Sequence, residues 1–155
     1  MEGVLVGTLT TGCARLTNVS YAGDITPRQS WELLRANPDA VLVDVRTAAE
    51  WKWVGVPDLT TEGREVVFVE WNSGDGKPNP NFVAELIAAG ITPGQRPVVF
   101  LCRSGKRSIP AAEAATAAGI APCYNMLQGF EGDLDEHGHR GGAGWRAEGL
   151  PWKQT

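Results

Sequence analysis

Pro97-Val98-Val99-Phe100-Leu101-Cys102-Arg103-Ser104-Gly105-Lys106-Arg107-Ser108 is the stretch that decides the fold. An apolar run from Val98 to Leu101 leads directly into a cysteine, and an alanine-rich segment from Arg107 to Ala118 follows the cationic turn. The order is strand, tight turn, helix. Such a turn aims successive backbone N–H groups inward, and the first turn of the helix leaves its own N–H groups without intrahelical partners. A sulfur at the centre is favoured as thiolate by those amides and by the helix dipole. Arg103, Lys106 and Arg107 add positive potential around it. Cysteines in electropositive turns of this kind ionise anywhere from roughly pH 3.5 to 7.5, against ~8.5 for a free thiol. Cys102 is the candidate nucleophile, with Arg103, Ser104, Gly105, Lys106, Arg107 and Ser108 as its substrate-binding loop.

Working outward, strands alternate with helices. Thr26-Pro27-Arg28-Gln29 has the form of a capping box with proline in the first turn, and the helix it opens stops near Asn37-Pro38. Val41 to Val45 is an apolar run interrupted only by Asp44, suited to a strand covered on both faces. Thr47-Ala-Ala-Glu50 is a second capping box, and Glu65 to Val69 reads as the next strand. Asn72 to Asn79 is loop, and Asn79-Pro80 is expected to cap a helix that ends at Gly90. Pro110 is tolerable only near the start of the helix that follows Cys102, and Gly119 ends it. A last strand spans roughly Cys123 to Leu127. This alternation implies an α/β fold with a parallel sheet covered on both faces. Ligands in such sheets bind beyond the carboxyl ends of the strands, where Cys102 stands.

The 155 residues suffice for one core, since a chain of this size buries about 68–70% of its unfolded surface. A hydrophobic content of 43% with 21% charged residues is that of an ordinary globular protein. The net charge of −4 lacks the basic footprint of a nucleic-acid binder. It also makes the cations beside Cys102 a local field that favours a small anionic substrate. Three cysteines, an odd number, do not form a disulfide framework, and a thiol that must stay free points to a reduced, cytoplasmic setting. Cys13 and Cys123 lack a cationic turn and are expected to be inert. No apolar run approaches the ~20 residues of a membrane span, and no lipid anchor is expected at Cys13.

Cys102-Arg-Ser-Gly-Lys-Arg107 resembles the active-site loop of the rhodanese-like sulfurtransferases. The resemblance covers about 130 residues, Asp24 to Trp152. Val41-Leu-Val-Asp44-Val-Arg46 followed by Glu50-Trp51 is similar to the family's amino-terminal signature, and Asn79-Pro80-Asn-Phe82 to the opening of the helix before the active-site strand. Leu127-Gln-Gly129 and Gly149-Leu150-Pro151 resemble its closing elements. The resemblance implies a single rhodanese-like domain over 24–155, a central, mainly parallel five-stranded sheet with helices on both faces, and residues 1–23 as an extension. It further implies sulfur transfer from thiosulfate or a persulfide donor to a thiol or cyanide acceptor, or to a sulfur-accepting protein, through a Cys102 persulfide. Asp44, Arg46 and Glu50 take supporting roles in this scheme. The chain departs from the family at Val54-Gly-Val-Pro-Asp-Leu59, which has no histidine, and at 133–144, which looks like an insertion. Both bear on the pocket wall.

Other patterns carry less. Asp133-Leu-Asp135-Glu-His137-Gly138 opens like a calcium loop, but Gly144 stands where a bidentate glutamate is required, so no metal is expected, and no cofactor. Arg46 and Glu50, four apart, are expected to pair and brace the short helix. Trp31 is assigned to the core, while Trp51, Trp53 and Trp71 suit either core or pocket rim. Three function classes fit: a sulfurtransferase enzyme, a non-enzymatic relay or protein-binding module, and a phosphatase on the related fold. A phosphatase loop wraps an oxyanion with five residues between cysteine and arginine. Here four separate Cys102 from Arg107, a ring suited to sulfur.

Overall fold

A computed structural model of the chain describes residues 21–154, so the expectations for Cys13 and for residues up to 20 lie outside the described residues. Five parallel strands form the central sheet in the order β1-β6-β5-β2-β4. They are β1 (Gly23–Ile25), β2 (Val41–Asp44), β4 (Val67–Phe68), β5 (Gly94–Leu101) and β6 (Ile120–Met126). Helices α1 (Pro27–Ala36), α2 (Ala48–Trp53), α3 (Phe82–Ala88) and α4 (Ser108–Ala117) make the crossovers and their satellites. A small antiparallel ladder pairs β3 (Val56–Pro57) with β7 (Trp152–Lys153) and was not legible in the sequence.

The two faces of the sheet follow the strand period of two. Val41, Val43 and Val45 share one face with Val98, Phe100 and Cys102, and pack with Phe82 and Leu86 of α3 and Ala111, Ala112 and Ala115 of α4. Leu42, Val99 and Leu101 face the other way, onto Leu34 of α1 and onto Phe130, Trp145 and Leu150 of the carboxyl-terminal segment. Trp145 is fully buried and meets half-buried Trp31 edge to face at 5.9 Å, so Trp31 flanks a core whose centre is Trp145. Trp53 is 72% exposed and belongs to neither core. Trp71 packs edge-on to Phe82, and Trp51 to Phe68.

Both capping boxes form. Thr26 accepts from Gln29 N, and Thr47 from Glu50 N, each reciprocated by the side chain at the third position. Helix α3 begins later than expected. Asn81 is its cap, and Asn79 instead makes a turn, its Oδ1 accepting from Asn81 N at 3.0 Å and its Nδ2 donating to Glu70 O. The short Asn side chain bonds the backbone two residues on more readily than a helix three residues on. Pro110 sits at the third position of α4, where its missing N–H is one of the orphan donors and nothing is lost. The expected strand at Glu65–Val69 shortens to two paired residues at the sheet edge, and β5 and β6 begin earlier than their apolar runs.

Candidate active site

Strand β5, paired on both sides, delivers Cys102 to the carboxyl edge of the sheet, and α4 opens six residues later at Ser108. The thiol is 1% exposed. Gly105 N donates to Cys102 Sγ at 3.1 Å, and Ser108 Oγ stands 3.2 Å from the same sulfur. The loop closes this tightly because Gly105 holds φ +94°, a conformation that disfavours a side chain, and a Cβ there would lie 3.0 Å from Gln128 N. Behind the loop, Phe130 N donates to Cys102 O, and Glu131 N and Gly132 N donate to Arg103 O. This close approach needs Gly129, whose added Cβ would fall 2.2 Å from Cys102 O.

The loop cations divide. Arg103 and Lys106 are exposed at the rim. Arg107 turns back onto α2 and grips Glu50 with two parallel bonds, Nη1 to Oε1 at 2.8 Å and Nη2 to Oε2 at 3.0 Å. Burial by itself disfavours the charge on both partners. The paired hydrogen bonds from Arg107, with the Thr47 N–H and the neighbouring guanidinium charges, outweigh it for Glu50 and hold that carboxyl at about 2. Arg107 is raised, because burial is again outweighed, first by the bonds and charge of Glu50 and then by Cys102 and Asp44.

The expected Arg46–Glu50 pair does not form. Asp44 and Arg46, both fully buried, pair with each other, Nη2 to Oδ2 at 2.6 Å and Nε to Oδ1 at 2.9 Å. Residues two apart in extended chain share a face, and the planar guanidinium fork fits the neighbouring carboxylate. Arg46 also donates to Gly55 O at 2.7 Å and lies over the Phe130 ring at 4.4 Å, while its Nη1 has no hydrogen-bond partner. This pair sits on the face opposite Cys102, under the loop. It ties the end of β2 to Gly55 O and to the face of the Phe130 ring.

Sequence reasoning placed Ser108 in the loop and missed its partners Asn125, Asp24 and Tyr21. Ser108 Oγ donates to Asn125 Oδ1, Asn125 Nδ2 donates to Asp24 Oδ1 at 3.0 Å, and Tyr21 Oη donates to the same oxygen at 2.9 Å. Asn125 was detectable as the one amide in the buried run of β6. Cys123, in contrast, is a packing cysteine: its thiol donates to Ile120 O, and burial pushes it up to about 11 against a weaker lowering by Thr116.

Residues 26–136 match the Rhodanese-like domain family. The chain belongs to that family. The crystal structure of Rv0390 from M. tuberculosis superposes on this rhodanese-like domain with a TM-score of 0.81 and is 64% identical to it, over 87% of this chain and 99% of that one. A solution structure of the polysulfide-sulfur transferase homodimer from Wolinella succinogenes aligns with a TM-score of 0.59 at 26% identity, covering 88% of this chain and 80% of that one. An uncharacterized protein of Rickettsia conorii is 35% identical over 130 residues, 84% of this chain and 96% of the relative. The rhodanese-like domain, with its sulfurtransferase neighbour, is a sulfur-transfer module. No helix among the described residues is long and apolar enough to cross a membrane.

Proposed function

We propose that the protein is a sulfurtransferase that carries sulfane sulfur on Cys102. The observation that carries this is the thiol placed between Gly105 N and Ser108 Oγ at the end of the central strand, in a loop whose Arg103 and Lys106 are exposed. The Cys102 thiolate attacks the outer sulfur of an anionic donor such as thiosulfate. The donor's S–S bond breaks, sulfite leaves with the bonding pair, and a persulfide remains on Cys102. A thiol or cyanide acceptor then attacks the outer sulfur, and the cysteine thiolate is regenerated. Exposed Arg103 and Lys106 draw the donor in, and Gly105 N and the loop amides meet the charge on donor and persulfide. Arg107 serves differently: committed to Glu50, it shapes the loop and adds its field to the sulfur without being free to grip the donor.

No separate base is needed for a nucleophile that reacts ionised, and the covalent intermediate requires ping-pong kinetics. Steady-state thiosulfate:cyanide assays should give parallel double-reciprocal lines. Cys102→Ser should remove the activity and Cys123→Ser should keep it. Intersecting lines, or transfer that survives in Cys102→Ser, would refute the assignment. Turnover of an aryl phosphate through a Cys102 phosphoenzyme would favour the phosphatase class instead.

A further inference from the structure

The hydrogen bonds around Cys102 do not end at the loop. They continue through Ser108 and Asn125 to Asp24 on the first strand and Tyr21 just before it, crossing three adjacent strands of the sheet. The register explains why. Asp24 pairs with Asn125, and Asn125 with Phe100, so the three residues lie side by side. Side chains at such positions leave the sheet on one face, and Cys102, two residues beyond Phe100, leaves on the same face. That is the face α4 covers, with Ser108 at its first position.

The donors and acceptors in this chain are fixed by elimination. The Asp24 carboxylate can only accept, and so can the Gly105 carbonyl, which lies 3.4 Å from Asn125 Nδ2. Both claim the two N–H bonds of the Asn125 amide. Its oxygen is thereby turned to Ser108, whose single proton it receives. A hydroxyl has one proton to give, so Ser108 faces Cys102 Sγ with a lone pair. The sulfur is left with one fixed donor, Gly105 N. For a second bond to a negatively charged Sγ, the hydroxyl must rotate and abandon Asn125 Oδ1, which is fully buried and would stand unpaired.

We propose that Asn125 and Asp24 are positioning residues that act through Ser108 to withhold a hydrogen bond from the Cys102 sulfur. This inference deepens the sulfur-transfer reading and rests on it for its meaning. A thiolate denied one donor is less stabilised and attacks the outer sulfur of a donor more readily. Once sulfur is loaded, the negative charge moves from Sγ to the outer atom of the persulfide, where Ser108 is no longer its neighbour. The network therefore penalises charge on the empty cysteine and spares it on the loaded one. The charged and titratable groups that face the sulfur are Arg107 on the turn, held by Glu50 of α2, and Arg103 and Lys106 at the rim. Asp44 acts through Arg107, and Asp24 and Tyr21 stand at the far end of the network. Altering Asn125 leaves Arg107, Arg103 and Lys106 in place and takes one donor from Asp24 Oδ1, which keeps Tyr21 Oη.

The test is alkylation of Cys102 by iodoacetamide between pH 4 and 10 in a Cys13→Ser/Cys123→Ser background, which needs no sulfur transfer. Asn125→Ala should free the Ser108 hydroxyl to donate to Sγ, moving the alkylation profile to lower pH by about one unit, a tenfold change in ionisation. The limiting rate at high pH should fall by about 2.5-fold to threefold, as nucleophilicity drops with basicity. Adding Ser108→Ala should erase both effects of Asn125→Ala. Because Asn125 is buried, Asp24→Asn on the exposed edge gives an independent arm that keeps the core intact. With the carboxylate gone, the Asn125 amide is released to turn over, and the profile should move in the same direction by a smaller amount. Profiles that stay in place in both variants, or that move equally with and without Ser108, would overturn the inference. The reading of Cys102 as sulfur carrier would fail separately, if the wild type formed no persulfide.

Discussion

Replacing Glu50 by glutamine keeps the shape of the side chain and removes the charge that Arg107 grips. In the wild type the Glu50 carboxyl is lowered from 4.5 to about 2, and the pair is about one-fifth exposed. A shift of that size corresponds to a ceiling of about 3 kcal/mol, and solvent screening at a partly exposed pair brings the expectation to about 1–2 kcal/mol. The sign follows from linkage. A carboxyl lowered in the folded state adds stability that is fully present above its unfolded value near 4.5 and is lost as the pH falls toward 2. Urea denaturation at pH 7 should therefore place the Glu50→Gln midpoint about 0.5–1 M below that of the wild type, with a slope of ~2 kcal/mol per M. Between pH 4.5 and 2 the two midpoints should converge. The variant should also alkylate Cys102 at an altered rate, because Arg107 is no longer held against α2. A midpoint difference that is absent at pH 7, or that persists unchanged at pH 2.5, would refute the assignment of the ion pair as the brace of the loop.

Gly129→Ala should destabilise the fold by about 2–4 kcal/mol, since its Cβ meets Cys102 O and its φ of +55° adds strain; an unchanged thermal midpoint would contradict the packing of loop on loop. Lys106→Ala should raise the KM for thiosulfate several-fold at low salt with little effect on stability, and the difference should shrink at ~0.15 M salt, where exposed charges are screened beyond about 8 Å. Trp145→Ala should cost about 3–5 kcal/mol in urea denaturation, because the ring is fully buried and its Nε1 donates to Pro151 O.

Local signals read well wherever one chemical rule governs. The capping boxes at Thr26 and Thr47, the strand from Val41 and the break at Gly119 depend on residues within one turn of one another, and each forms as expected. The turn after Cys102 was legible for the same reason. What the sequence hid are pairings over long separations. Glu50 finds Arg107, 57 residues away, because β2 and β5 are neighbours, and helical spacing alone suggested Arg46 instead. Asp24 and Asn125 are 101 residues apart and meet only through the register of β1 on β6. Edge strands were weakest: β1 has three residues and little apolar pattern, and β4 pairs at only two residues of the apolar run from Val66 to Val69, so partners rather than propensity define their bounds. Trp145, the largest buried side chain, lies in a Gly-rich stretch that reads as loop, and it is buried because the chain returns over the Leu42 face.

The central claim is that Cys102 carries sulfur covalently. Intact mass spectrometry of the protein after incubation with thiosulfate and removal of excess reagent addresses it directly. The account predicts a gain of one sulfur atom in mass, mapped to the Cys102 peptide, discharged by cyanide as thiocyanate and missing in Cys102→Ser. An unmodified wild-type mass, or an adduct that persists in Cys102→Ser, would contradict it.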